Sequence, residues 1–181
     1  MEDVRELLDH GANVNGEGKD GWTPLKSAAR NGHLEVVREL LKSGAEVDRA
    51  NDNCWTALKT AAFNGQVEVV RELIVQHGAN VNVVGKDGWT LLMSAAFEGH
   101  LEVVRELLVQ PGANVNGEGK DGWTPLMSAA FKGHLEVVRE LLGHRAEVER
   151  ANENGWTALK IAFERGHMDI VRELQKHGAS V

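Results

Sequence analysis

Tryptophan occurs five times in the 181 residues, at Trp22, Trp55, Trp89, Trp123 and Trp156, at intervals of 33, 34, 34 and 33. Each is followed by Thr and, two residues further on, by Leu. A period of 33 or 34 residues is the length of one helix pair. Such a unit cannot bury its apolar face alone, so it stacks on copies of itself. The spacing therefore predicts an all-α solenoid whose core is a strip between units. A large aromatic repeated at one phase also predicts a row of rings along one side.

Hydrophobic residues make up 42% of the chain, enough to fill such a strip. There are 27 acidic and 20 basic residues, a formal net charge of −7. Duplex nucleic acid needs a clustered basic face, and the sequence has no Lys/Arg run. Mild acidity suits solubility and slightly favours cationic partners. The single cysteine, Cys54, rules out an internal disulfide framework and fits a reducing compartment, cytoplasmic or nuclear. The opening MEDVRELLDH lacks the basic start and apolar stretch of a signal peptide, and no apolar run is long enough for a membrane span.

Aligned on Trp, the chain divides into a half unit, 1–17, and full units 18–50, 51–84, 85–118, 119–151 and 152–181. The fourth reads GKDGWTPLMSAAFKGHLEVVRELLGHRAEVERA. Thr124 is a good N-cap, and Pro125 at the first helical position gives up an N–H that has no partner anyway. The short first helix carries Ala129 and Ala130, which let a neighbouring helix come close, and ends at Gly133. A second helix follows, with Val137, Val138, Leu141 and Leu142 predicted inside and Glu136, Arg139 and Glu140 in solvent. The tract between second helix and next Trp reads as a turn or hairpin.

TPL at 23–25 and 124–126, TAL at 56–58 and 157–159, GH at 32–33, 99–100, 133–134 and 166–167, VVREL in four units and GANVN at 11–15, 78–82 and 112–116 together resemble the ankyrin repeat. The resemblance covers almost the whole chain. It implies one ankyrin-repeat domain over 1–181, an α-solenoid of helix–turn–helix pairs with protruding hairpin loops. It also implies a non-enzymatic protein-interaction scaffold without a cofactor. Departures accompany it. The family places His directly after TPL; here Lys26, Lys59, Met93, Met127 and Lys160 stand there, which puts that hydrogen-bond network in question. Cys54 replaces the hairpin Gly and Arg145 the Gly that ends a second helix; positive φ at either would carry strain. VQHG and VQPG bring one extra residue each and predict a bulge after the second helix.

Two tracts recur at an offset of 101 residues: NGEGKDGWTPL at 15–25 and 116–126, and RAN-D/E-N-C/G-WTALK at 49–59 and 150–160. This suggests block duplication or a design that copied blocks; Cys54, Arg145 and the extra residues read as natural. Gln175, where other units have Leu or Ile, reads as the polar mark of a capping repeat. The N-terminal half unit has only its second helix, leaving an apolar flank. A monomer is expected, with association through that flank as the other outcome.

The resemblance places partner binding on the hairpin tips and on the concave ends of the first helices. Carried over, the partner-binding residues are Trp22, Trp55, Trp89, Trp123 and Trp156, with Lys86, Asp87, Lys120 and Asp121 on the tips. At the helix ends they are Phe63, Asn64, Phe97, Glu98, Phe131 and Lys132. Eight of the nine aromatics fall on these phases; the ninth, Phe163, replaces an alanine and is expected inside. With half of each ring covered, eight rings would leave roughly 600–1,000 Å² free, one side of a protein interface. The competing reading is that each Trp lies flat on the next hairpin and only stiffens the array. The rival functions are methyl-lysine or single-stranded nucleic acid recognition by the aromatics, or a structural spacer.

No phosphate loop, nucleophile elbow or zinc spacing occurs. His33, His100, His134 and His167 recur at one phase, but stacked helices sit about 10 Å apart. Metal ligands converge at about 2 Å from one ion, so these histidines are expected to stabilise turns and to bind no metal. His10, His77 and His177 read as helix-end residues favoured by the dipole.

Overall fold

The computed structural model describes residues 2–180. Among them eleven α-helices follow one another in antiparallel pairs after a lone first helix, α1 (Glu2–Asp9). The pairs are α2 (Pro24–Arg30) with α3 (Leu34–Lys42), α4 (Ala57–Phe63) with α5 (Val67–Arg71), and α6 (Leu91–Glu98) with α7 (Leu101–Leu108). They continue with α8 (Pro125–Lys132) and α9 (Leu135–Gly143), then α10 (Ala158–Glu164) and α11 (Met168–Lys176). The fold is all-α, as the period predicts. Extended pairing among the described residues is limited to single antiparallel bridges, Val84 with Thr90 and Ala151 with Thr157.

Each first helix starts the same way. The Thr after Trp has an extended backbone, and its hydroxyl accepts the N–H three residues on at 3.2–3.3 Å, in Thr23, Thr56, Thr90, Thr124 and Thr157 alike. That satisfies one of the donors a helix start leaves without a partner. The alanine pairs then do what their size permits: Ala61, Ala62, Ala95, Ala96, Ala129 and Ala130 are fully covered. Neighbouring first helices approach each other more closely than neighbouring second helices do. Stacking that is tighter on one side bends the array towards that side, so the first helices line its inner curve.

The second helices are joined differently. In five of the six VREL segments the arginine reaches the glutamate of the next unit: Arg5–Glu39, Arg38–Glu72, Arg71–Glu106, Arg105–Glu140 and Arg139–Glu173, at 2.8–3.2 Å. In four units the same arginine also pairs within its own helix, three residues back, with Glu35, Glu68, Glu102 or Glu136. Hydrogen bonds donated to Glu72, Glu106, Glu140 and Glu173 hold the Arg38, Arg71, Arg105 and Arg139 guanidiniums above their ordinary pKa. This corrects the expectation that Glu140 is solvated. Its side chain is 21% exposed, and its counterparts are more covered still, because each lies under a neighbour's guanidinium.

The histidines also link units. A ring nitrogen of His100 donates to the Phe63 carbonyl at 3.0 Å, His134 to Phe97 at 2.9 Å and His167 to Phe131 at 3.3 Å. Gln66 does the same to the Arg30 carbonyl at 3.1 Å. Those carbonyls end first helices and would otherwise lack a partner. At the second-helix ends, ring nitrogens of His10 and His177 donate to carbonyls four residues back at 2.7 and 2.9 Å.

The departures resolve individually. Cys54 and Arg145 do adopt φ of 59° and 65°. The extra residue of VQHG is absorbed as a π-turn over Glu72–Gln76 that prolongs α5. That of VQPG falls after α7, which stops at Leu108. Lysine takes over the work of the histidine the family has after TPL. Lys26 Nζ donates to the Gly21 carbonyl at 2.8 Å and Lys160 Nζ to Gly155 at 3.3 Å. Lys59 Nζ reaches instead to the next hairpin, to the Trp89 carbonyl and Asp87, both at 3.3 Å.

One expectation about the last unit fails. Phe163 is 62% exposed rather than inside, and Met168 and Trp156 beside it are 43% and 40% exposed. These side chains bound a hollow of about 680 Å³ on the terminal face, together with Leu159 and Gln175. Ala62, Ala96 and Ala130 occupy the Phe163 phase where a next unit covers it; in the described structure no unit lies over Phe163. One glutamine does not make that face polar. The flank beside α1 is apolar as expected, with Leu7 63% exposed over a hollow of about 430 Å³.

Candidate functional site

The hairpins hold the tryptophans at a fixed phase. In every unit the backbone N–H four residues before Trp donates to the Trp carbonyl: Gly18, Asn51, Gly85, Gly119 and Asn152, at 2.7–3.1 Å. The tip Gly88 has φ 77°, and a side chain there would meet the Lys120 backbone nitrogen at 2.7 Å. At Gly122 it would meet the Asn152 backbone at 3.2 Å. Hairpins thus stack backbone against backbone, and Glu153 N–H donates to the Asp121 carbonyl at 2.9 Å.

The indoles do not stand free. In the three middle units each packs edge-on against the phenylalanine of its own unit: Trp55–Phe63 at 5.3 Å, Trp89–Phe97 at 5.0 Å and Trp123–Phe131 at 6.0 Å between ring centroids. Phe97 and Phe131 stack at 6.0 Å with their planes 18° apart. Trp89, Phe97, Phe131 and Trp123 therefore form one connected group spanning two units. Edge-on and offset contacts at these distances suit the ring quadrupole. Trp123 is further fixed by its indole N–H, which donates to the Ser128 hydroxyl at 3.0 Å.

The price of this packing is exposure. Phe63 is 36% exposed and Trp156 40%, while Trp22, Trp55, Trp89, Trp123, Phe97 and Phe131 are half-buried. Each of these residues is thus covered over more than half of its surface. What remains is a narrow strip along the groove between hairpins and first helices.

The predicted polar positions divide. Asn64 donates to the Thr60 carbonyl at 2.8 Å and is tied to its own helix. Asp87 accepts the Trp89 N–H at 3.0 Å as well as the Lys59 ammonium. Lys86, Lys120 and Asp121 lie exposed on the tips, Asp121 with φ 61°. Glu98 is half-buried at the end of α6.

Cations on the ring faces are the feature that sequence reading missed. Arg165 Cζ lies 3.6 Å from the Phe131 centroid, and Lys132 Nζ lies 4.6 Å from that of Phe97. Lys59 stands 5.2 Å over Trp55 and Arg30 6.0 Å over Trp22. The signal was present: Lys132 and Arg165 sit one residue past the Phe phase in the following unit, so stacking brings each over the ring before it. A hollow of about 330 Å³ opens beside this pair, bounded by Trp123, Phe131, Trp156, Ile161 and Arg165.

Among the described residues no helix is long and apolar enough to cross a membrane. The groove offers rings, amides and fixed charges, a surface for recognition. A search of the curated proteins finds no match to the chain. The family model of ankyrin repeats matches three times, over residues 1–51, 44–118 and 106–181. With Thr-capped first helices, alanine seams and stacked hairpins in every unit, the chain belongs to the ankyrin-repeat family.

Proposed function

We propose that this chain is a non-enzymatic scaffold that binds a protein or peptide along its concave, Trp/Phe-lined groove. Ankyrin repeats are generally protein–protein interaction modules. The observation that carries the reading here is the connected ring group Trp89, Phe97, Phe131 and Trp123. Aromatics fixed by one another lose little freedom on binding, and Trp is the residue type most enriched at hot spots. The exposed tips Lys86, Lys120 and Asp121 would form the polar rim.

The rival chemistries find less support. A methyl-lysine cage needs open ring faces, and Phe97 and Phe131 already carry the protein's own cations. Single-stranded nucleic acid wants a uniformly positive groove, and this one includes Asp87, Glu98 and Asp121.

The test compares two variants with the unaltered chain in quantitative affinity capture from cell extract. Trp89→Ala with Phe97→Ala should lose most of the captured set. Arg105→Gln with Arg139→Gln, on the outer side, should keep it. Equal capture by both would leave the chain as a structural spacer. Capture that collapses between 50 and 200 mM salt, or is removed by nuclease, would favour nucleic acid.

A further inference from the structure

The charges on the two sides of the array are used differently. The outer arginines Arg38, Arg71, Arg105 and Arg139 each hold two glutamates. Among the described residues Lys132 and Arg165 form no ion pair; their partners are the faces of Phe97 and Phe131. A guanidinium in contact with a ring is dry on that side, while its N–H donors lie in its own plane. Donors that no carboxylate of the protein takes are free to bind one from a guest, and contact with the ring already restrains the group.

The positive character is local. At the phase of Lys132 and Arg165 the earlier units carry Asn31, Asn64 and Glu98. Arg30 and Lys59 lie farther off, over tryptophans, and Lys59 already meets Asp87. Cations of a following unit lie on phenylalanine rings at the end formed by α8 and α10, where the 330 Å³ hollow between Trp123, Phe131 and Trp156 lies beside Arg165. That volume is the size of a small ligand pocket and accommodates one or two apolar side chains. One carboxylate, Glu164, stands on its rim.

We infer that this end of the groove selects a peptide segment in which an apolar side chain is flanked by a carboxylate. The side chain fills the hollow between Trp123, Phe131 and Trp156, and the carboxylate meets Arg165, with Lys132 adding charge one unit away. The inference rests on the groove reading above and deepens it. It runs against the mild overall acidity of the chain, because local ring-stacked cations at contact distance outweigh a net charge spread beyond a Debye length.

The test begins with a displayed library of random 12-residue peptides selected against the full chain. Enriched peptides should carry Asp or Glu within a few positions of Leu, Ile, Phe or Trp. Labelled synthetic copies are then titrated by fluorescence anisotropy. Changing the peptide's Glu to Gln should weaken binding about tenfold, the loss for one charge-assisted hydrogen-bond pair. Arg165→Gln should erase that difference, Arg165→Lys should restore only part of it, and Glu164→Gln should tighten binding. Selected peptides that are basic or neutral and indifferent to Arg165→Gln, yet lost with Trp89→Ala and Phe97→Ala, would overturn this inference and leave the groove reading intact. Peptides indifferent to Trp89 and Phe97 as well would sink both. A labelled thymidine oligonucleotide that displaced the acidic peptides and bound more tightly would also overturn it.

Discussion

On the outer side the arginine of one second helix reaches the glutamate of the next unit five times, at 2.8–3.2 Å. On the inner side the row at the first-helix ends reads Arg30, Phe63, Phe97, Phe131 and Glu164, so the edge-on Trp–Phe contact occurs in the three middle units and not in the two that flank them. The difference separates two jobs. A contact that recurs in every unit serves the stack, since each interface must close by the same geometry. A row that changes from unit to unit is not needed for closure, so it is free to suit a guest. The alanine seam beneath the rings belongs to the first kind, and the rings with their cations to the second.

The largest effect should come from breaking the inner seam. Ala96 is fully covered between first helices. Ala96→Leu would force α6 and α8 apart and cost about 1–3 kcal/mol, the usual range for overpacking. It should also loosen the Phe97–Phe131 stack, so the urea midpoint and the near-ultraviolet signal of Trp89 and Trp123 should fall together. A variant of unchanged midpoint would mean that the seam has slack and that the inner curve is not set by alanine.

A gain of about 1 kcal/mol should follow from Arg145→Gly. Arg145 holds φ of 65° where the other second helices end in glycine, at Gly11, Gly44, Gly78, Gly112 and Gly178 with positive φ. A non-glycine residue in that region carries about this much strain. Arg145 lies on the loop side, away from the ring row, so peptide affinity should stay constant while the thermal midpoint rises. A gain in stability accompanied by altered binding would blur the division between the two sides.

Much of this plan was readable from the residues. The period gave the stacked pairs, and TPL gave the Thr124 cap; the left-handed Asp20 and Asp121 did not follow from any glycine phase. Even the strained Cys54 and Arg145 followed from where glycine was missing. What escaped was pairing across units. Arg105 and Glu140, or Phe131 and Arg165, are 34 to 35 residues apart and meet only once stacking sets their register. The exposure of Phe163 escaped for a related reason: apolarity marks a residue for burial, but only the neighbour that covers it decides the outcome. The packing of Trp on Phe within a unit escaped as well, because an edge-on contact has no signature in spacing alone.

The outer ladder should prove weak bond by bond. Arg105 is half-exposed and pairs with Glu102 and Glu140. Arg105→Gln should cost roughly 0.2–1 kcal/mol, as for other solvent-facing pairs. The loss should shrink in 1 M salt, where the screening length is about 3 Å. Partner binding should not change. A cost that persists in high salt would assign the arginine's worth to packing of its stem across Glu140 rather than to charge.

The finest distinction lies at the residue after TPL, where Lys26 and Lys59 alternate with Met93 and Met127, all of them buried. Burial pushes the Lys26 ammonium below its ordinary pKa; nearby Glu17 opposes the shift and Arg49 adds to it. The native protein therefore gives up this proton at lower pH than the unfolded chain does. Between those two points the unfolded state holds the extra proton, so rising pH favours the native state. The cost of the buried charge is full at neutrality and fades as pH climbs towards the ordinary lysine range, near 10.4. Lys26→Met removes the titrating group and installs the side chain that two other units already use. Measured by urea midpoint at pH 7, 9 and 10, the stability of the unaltered chain relative to Lys26→Met should therefore rise with pH. Parallel curves would mean that the ammonium, bonded to the Gly21 carbonyl, stays as well solvated folded as unfolded, and that lysine and methionine are interchangeable there.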